Sequence, residues 1–596
     1  MILDILRVFG VLSLCLFLAP LCGWWLAARF RLDDNLTTFT AACLAGVTTL
    51  AFVTMAAYAL RLPDWVSCCV LLVICLLSTR TLLRGGDIAW DAVLVWTGTA
   101  AILISATMTF AVHGLEGARW DWYEHWLRTL VFLTHAPITT DIGRYSNPAR
   151  GPLFNAASAQ IMWFAGSRHY WVFQIVSIAL NTLVLLPTAI LLKVVAGLSR
   201  RQALLTAAAI CVVWPFFFWN NTFTWTKSLT SAFILMGISG NLAAWRKRDG
   251  GGMAASLGWL AAAFLTHYLT LIYAAVLGLH LLFVKRRDLP IAALFRVALV
   301  WGLLIGPWFG YQFLHFGVKS TLKANTTVGT YYASTDAHGN AIPYPRVLAG
   351  NLCADLLPQA VCQPLWSNTV LEPCHVVEGR GSTIRENEVA CRPAMTLSGS
   401  GAFAILGYSG SIALLLAIIG LVRAGSSDLP FLAWMLGAGL ILNLLPFRWF
   451  NTAGTFSNNL EPWCVVFGAV AVRGLVALPR PVIAAAALGM LIEFVPHDIS
   501  LIRQQGIVLP FAHYQSSLQG NPPVTRMLPA PDAAAPFHAG GDYYANYLLK
   551  IQGGAVFFRD LHPDTFGTVS YVFLGFGLLA LGAGVGIERP ASGHFG

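Results

Sequence analysis

The chain has 596 residues, of which 57% are hydrophobic and only 11% charged, with a formal net charge of +10 and a mean hydropathy of +0.67. Soluble domains carry about 25% charged residues, so this composition excludes an ordinary soluble domain and indicates a multi-pass helical membrane protein. The basic excess sits in short connectors between apolar runs rather than along one stripe, which reads as membrane orientation and argues against a nucleic-acid partner.

The N-terminal run "MILDILRVFGVLSLCLFLAPLCGWWLAARF" lacks a basic leader, and its apolar stretch is too long for a signal peptide; it is expected to be the first span. A helix needs about 20 apolar residues to cross the hydrocarbon core. Runs that meet or approach this begin near 5, 37, 65, 91, 171, 203, 228, 253, 270, 291, 401, 430, 462, 481 and 568. The expected fold class is therefore all-α and polytopic, with about 13–15 transmembrane helices.

Connectors carrying "RFR" (29–31), "TRTLLR" (79–84), "LSRRQ" (198–202), "WRKRD" (245–249) and "VKRRD" (284–288) alternate with connectors poor in Lys and Arg, so these five are expected on the cytoplasmic side. Residues 113–170, 219–227, 317–400, 446–461 and 497–567 then fall outside. The resulting organisation is N-terminal spans (1–112), a first large extracytoplasmic loop (113–170), a transmembrane core (171–316), a polar loop (317–400), further spans (401–496), an extracytoplasmic cap (497–567) and a last span with its tail (568–596).

Cysteine usage follows the same division. Eight cysteines lie in apolar runs, where Cys acts as a small hydrophobe. Cys353, Cys362, Cys374 and Cys391 share the polar loop, an even number expected to form two disulfides outside the cytoplasm, with three possible pairings. Zinc is the alternative reading of these four, though they contain no CxxC pair.

Taken in chain order, the first polar cluster is "GARWDWYEHWLRTLVFL" (117–133). Apolar residues at 122, 123, 126, 127, 130 and 131 predict a helix ended by Pro137. It is expected to lie flat at the membrane surface with its tryptophans at headgroup depth. Asp121, Glu124, His125 and Arg128 share a neighbouring face, which by itself reads equally well as the solvated side of an interfacial anchor.

Arg144 and Arg150 precede the apolar segment "PLFNAASAQIMWF". Lys227, in "NNTFTWTKSL" (220–229), stands at an outer span boundary, where a functional role and snorkelling to the headgroups compete. His267, in "FLTHYLTLIY" (264–273), interrupts a long apolar run read as a hairpin, and pattern alone makes it a packing residue. Arg448, in "PFRWFNTAGTFSNN" (446–459), is flanked by aromatics and reads as an anion or sugar contact or as a cation–π anchor.

Three stretches together resemble the GT-C superfamily of integral membrane glycosyltransferases: "WDWYEHW" (120–126), then "NPARGPLFNAASAQIMWFAGSRHYW" (147–171), then a span running to "LSRRQ". The likeness covers about residues 90–315. It departs from the family pattern in two places. The acidic residues stand three apart rather than adjacent, and Gly151-Pro152 replaces the usual Pro-Pro.

The resemblance implies a GT-C-like fold with extracytoplasmic surface helices and loops, acting in the cytoplasmic membrane with its site on the outer side. It implies transfer of a sugar from a polyprenyl-phosphate donor to a glycan, lipid or protein acceptor. Asp121 would be the general base, with Glu124 and His125 positioning the acceptor or, with Asp121, a divalent cation such as Mg or Mn. A carboxylate at the low-dielectric rim has its pKa raised toward the operating pH, which suits a base. Arg144, Arg150, Lys227, His267 and Arg448 would hold the lipid phosphate, arginine through its bidentate fork.

The sequence contains no GxxxxGK[ST], GxGxxG, HExxH or GxSxG, so a nucleotide-driven cytosolic enzyme is not indicated. Two other readings remain at this point. A polymerase or ligase of the O-antigen type, or an oligosaccharyltransferase, could rely on His497, Arg503, His513, Arg526 and His538 in the late loop. A transporter would place ionisable residues mid-span, often in repeated halves, and no repeat is evident.

Overall fold

A computed structural model describes residues 2–30, 34–84, 86–109, 121–140, 147–268, 270–284, 291–326, 409–425, 428–445, 459–504 and 566–586, with isolated positions beside them. Regular structure among the described residues is entirely helical. With no water in the bilayer core, every backbone group must be satisfied within its own segment, and a helix does this for each apolar run.

Four helices open the chain: α1 (Ile2–Ala27), α2 (Asn35–Ala59), α3 (Asp64–Leu83) and α4 (Trp90–Thr109). The first polar segment contributes α5 (Asp121–Leu133) and the short α6 (Leu153–Phe164). The core follows with α7 (Tyr170–Asn181), α8 (Leu185–Ala196), α9 (Arg200–Val213), α10 (Pro215–Thr222), α11 (Lys227–Arg246), α12 (Gly250–Ser256), α13 (Gly258–Thr266), α14 (Thr270–Val284) and α15 (Ile291–Phe316). After α16 (Val318–Thr326) come α17 (Ser409–Val422), α18 (Leu429–Leu444), α19 (Glu461–Val476), α20 (Arg480–Gln504) and α21 (Phe566–Gly586).

Each apolar run expected from the sequence contains a helix, but the runs are not all full spans. Among the described residues, seven continuous helical segments are long and apolar enough to cross a membrane, counting α7 and α8 as one segment (Tyr170–Ala196); α9 with α10, bent by 82°, makes an eighth. Other apolar helical stretches among the described residues are shorter, such as Gly250–Thr266 and Leu429–Leu444. The protein is a multi-pass membrane protein. Its segment Tyr170–Ala196 lies in the interior of the bundle, whereas Ile291–Phe316 is exposed or half-buried along nearly its whole length, as suits a helix at the lipid boundary.

Where helices cross closely, they do so on glycine. A Cβ on Gly23 would meet the Ala42 carbonyl oxygen at 2.1 Å, and one on Gly46 would meet that of Ala19 at 1.6 Å. Two small residues four apart on each of α1 and α2 thus let the backbones touch, the usual means of helix association in lipid, where apolar burial supplies little drive.

The cysteines of the apolar runs are free thiols. Cys15, Cys22, Cys43, Cys211 and Cys464 are buried as expected. The three on α3 are less so, with Cys69 exposed, because α3 is a lipid-facing helix.

Polar contacts define two ends of the bundle. At one, Lys193 Nζ bonds Asp34 Oδ2 at 2.7 Å, Asn35 donates to Asp87 at 2.8 Å, and Arg200 contacts both Asn35 and Asp91. Arg246 bonds Asp428 through Nε at 3.0 Å and Nη2 at 2.6 Å and also reaches the Val194 carbonyl at 2.9 Å. These bonds gather the connectors around "RFR", "TRTLLR", "LSRRQ" and "WRKRD" at a common end, as their shared charge predicts. The opposite end holds α5, the turn into α6, the start of α11 and the α13–α14 hairpin.

Candidate functional site

Helix α5 begins at Asp121 and ends at Leu133, close to the sequence expectation. Its environment differs from that expectation. Glu124, His125 and Arg128 are 1%, 3% and 3% exposed, and Trp126 to Leu133 are buried too. From Glu124 onward the helix is covered by protein, so Glu124, His125 and Arg128 do not form the solvated side that an interfacial anchor would show.

Burial of charge requires pairing, and α5 supplies it from within. Arg128 lies one turn after Glu124, and its Nε bonds Glu124 Oε1 at 3.1 Å while Nη2 contacts the same oxygen. The guanidinium also reaches the Asn147 carbonyl at 3.0 Å and Asn147 Oδ1 at 3.2 Å. Asn147 in turn donates to the Ile138 carbonyl at 2.5 Å, which ties the loop ahead of α6 to the end of α5. His125 sits 3.2 Å from Asn155 Oδ1 on α6. This α5–α6 unit holds an acid, a histidine and an arginine in its interior.

The chain enters α6 through Arg150, Gly151 and Pro152. A Cβ at Gly151 would stand 2.1 Å from the Leu265 carbonyl oxygen at the end of α13. Only glycine admits that approach. The departure from a Pro-Pro pair therefore has a structural cause: without a Cβ at 151, Arg150 comes against the α13–α14 turn. Tyr268 in that turn donates its hydroxyl to the Arg150 carbonyl at 3.0 Å.

His267 caps α13 in an extended conformation (φ −154°, ψ 125°), and α14 resumes at Thr270. It is thus a hairpin-apex residue and not a packing residue within a span. Lys227, the first residue of α11, sends Nζ to His267 Nε2 at 3.1 Å and to Asn459 Oδ1 at 2.9 Å. An ammonium only donates, so Nε2 accepts and the ring hydrogen resides on Nδ1. Burial first, then the charges of Lys227, Arg150 and His125, hold the imidazole well below the usual histidine range. His267 is neutral at physiological pH, in agreement with that tautomer.

Four of the predicted positions, His125, Arg150, Lys227 and His267, thus lie within electrostatic range of one another at a single end of the bundle. Glu124 lies beside them but is committed to Arg128. Arg144, Arg448, the side chain of Asp121 and Cys353, Cys362, Cys374 and Cys391 lie outside the described residues. Among the described residues, no three His, Cys, Asp or Glu side chains form a group that could hold a metal ion.

Other members of the site were not anticipated. Asn459 and Glu461 lead into α19, where Ser231 of α11 donates to Glu461 Oε2 at 3.0 Å and Tyr273 donates to the Asn459 carbonyl at 2.7 Å. Glu461 is completely buried. A carboxylate directly before an apolar run was the available signal, but only the fold brings it within a turn of Lys227. Asn147 and Asn155 carried no signal beyond being polar.

No protein-family description matches the sequence, and no curated protein does. Among solved structures, the chain is similar to ArnT from Cupriavidus metallidurans bound to undecaprenyl phosphate, with 12% identity, a TM-score of 0.42 and coverage of 82% of this chain and 76% of that one. It is also similar to the Archaeoglobus fulgidus oligosaccharyltransferase in the apo form, with 15% identity and a TM-score of 0.41. That match covers 76% of this chain but 59% of the archaeal one. A third similar structure is the same organism's AglB in complex with an inhibitory peptide and a dolichol-phosphate, at 14% identity and a TM-score of 0.40, covering 76% of this chain and 59% of that one.

Proposed function

We propose that this protein is a membrane glycosyltransferase that moves a sugar from a polyprenyl-phosphate donor to an acceptor hydroxyl or amide. The observation that carries the proposal is the cluster of half-buried Arg150, buried Lys227 and half-buried His267, set against the polar face of α5 at the end opposite the basic connectors. By the charge rule that end is the outer side of the cytoplasmic membrane. A lipid phosphate is the anion that reaches this depth, and its polyprenyl tail would lie in the adjacent bilayer.

The chemistry is a displacement at the anomeric carbon. The acceptor's hydroxyl oxygen or amide nitrogen forms the new bond to the anomeric carbon as the bond from that carbon to the phosphate oxygen breaks. The polyprenyl phosphate leaves with its negative charge, and the acceptor proton passes to a base. Arg150 and Lys227 stabilise the charge that develops on the leaving phosphate, in a site where low dielectric strengthens that interaction. Glu124 is held by Arg128, so the role of base falls to Asp121, at the first position of α5, one turn before Glu124. An in-line attack opposite the leaving phosphate inverts the configuration. No step is assigned to a metal, because Glu124, one of the expected ligands, faces Arg128.

The test uses the full-length protein in lipid nanodiscs with polyprenyl-phosphate monosaccharides and a panel of glycan, lipid and peptide acceptors. Asp121→Asn is expected to lower transfer by roughly 10²–10⁴-fold, the range for loss of a general base. Lys227→Met is expected to weaken donor binding. Undiminished transfer by Asp121→Asn would remove that residue as base, and transfer only from pyrophosphate-linked glycans would replace this reading with an oligosaccharyltransferase or ligase.

A further inference from the structure

Asn181 stands midway along the apolar segment Tyr170–Ala196, where the sequence "IVSIALNTLVLLP" offers no reason for an amide. A polar residue inside a span is costly unless it serves a purpose and finds partners. Asn181 is completely buried, and its partners are all on one distant segment. Its Nδ2 donates to the Phe223 carbonyl at 3.2 Å and to the Trp225 carbonyl at 3.1 Å, and its Oδ1 accepts from the Leu229 backbone N–H at 3.2 Å. Both amide hydrogens and the amide oxygen are used.

One of these groups, the Leu229 N–H, belongs to the first turn of α11, and the two carbonyls belong to the connector that leads into it. A helix has no internal partner for its first N–H groups, and a side-chain oxygen usually meets the second or third of them from the preceding residue. At α11 the residue in that place, Thr226, makes no such bond. Asn181 makes it instead, from another helix, to the third helical residue. The same amide holds two carbonyls of the connector that leads in. Its own position is secured, because a single 3-10 turn (Thr182–Val184) follows it and Trp96 Nε1 donates to the Ala179 carbonyl at 3.2 Å and to Thr182 Oγ1 at 3.1 Å.

Between the tied carbonyl of Trp225 and the tied N–H of Leu229 lies Lys227. A cation at the first position of a helix opposes the helix dipole, so this lysine is poorly placed by local rules and must be held by the fold. We infer that Asn181 is a positioning residue that caps α11 in trans and so fixes Lys227 against His267 and Asn459. This rests on the reading of Lys227 as a phosphate contact, while the tether itself is independent of it.

Two measurements on full-length protein in nanodiscs test the inference, with Asn181→Leu and the smaller, polar Asn181→Ser as variants. Amide hydrogen exchange of residues 223–229 is expected to accelerate by about tenfold or more in both, with the far end of α11 unchanged. Affinity for undecaprenyl phosphate is expected to fall about tenfold, with binding of undecaprenol, which has the tail and no phosphate, unchanged. If Asn181→Leu fails to fold, Asn181→Ser decides.

Exchange at the wild-type rate in Asn181→Ser would overturn the tether. Equal loss of both lipids would reduce Asn181 to a scaffold residue and overturn the positioning role. If Lys227→Met itself binds undecaprenyl phosphate like wild type, the phosphate reading fails, and the exchange measurement still decides whether Asn181 holds the segment.

Discussion

Removing the arginine of the buried Glu124–Arg128 pair is expected to destabilise the protein far more than an ordinary surface charge would. The side chains of this pair are 3% and 2% exposed. Arg128→Met keeps most of the side-chain volume but deletes two contacts to Glu124 and two to Asn147 at 3.0 and 3.2 Å. What remains is a carboxylate in a site without its cation. Breaking a buried pair from one side costs about 3–5 kcal/mol, whereas an exposed pair is worth about 0–1.

The double variant Glu124→Gln/Arg128→Met leaves no buried charge and is expected to recover a large part of the loss. Equilibrium unfolding in mixed detergent micelles, followed by tryptophan fluorescence, measures both. A single variant within about 0.5 kcal/mol of wild type, the range of neutral surface changes, would mean that α5 carries its charges in water and would refute its burial.

Gly151→Ala places a methyl group against the Leu265 carbonyl; overpacking of this kind costs about 1–3 kcal/mol and should appear as a lowered unfolding midpoint together with weaker donor binding. The pH dependence follows from His267. Its folded pKa lies below the unfolded value of about 6.5, so the unfolded chain binds the proton more readily. Its contribution to stability is complete above about pH 6.5 and is lost as pH falls from there toward the folded value. His267→Gln should flatten the stability profile between about pH 7 and pH 5, and an unchanged slope would count against the neutral imidazole.

The helical, polytopic character of the chain was readable in the sequence. Apolar length is a local property, and lipid permits a helix little else to become. The gathering of basic connectors such as 198–202 and 245–249 at one end was readable for the same reason, since it depends on counting Lys and Arg between apolar runs. The end of α5 and the placement of Lys227 at the end opposite the basic connectors followed from periodicity and span boundaries. Family likeness, rather than pattern, singled out Asp121 and Arg150.

Which charges are free to act was decided only by tertiary structure. Glu124 and Arg128 share a helix face at a spacing that a solvated salt bridge would also show, and their pairing became costly and specific only when α6 and the 147–150 turn covered them. Gly151 looked like a departure from a motif until the end of α13 occupied the place of its missing Cβ. Glu461 and Asn459 lie over 230 positions from Lys227, and Asn181 lies 46 before it, so no local rule links them to it. Local sequence dictates which backbone each segment forms. It does not dictate which polar groups are desolvated together, because that free energy depends on neighbours brought in from distant parts of the chain.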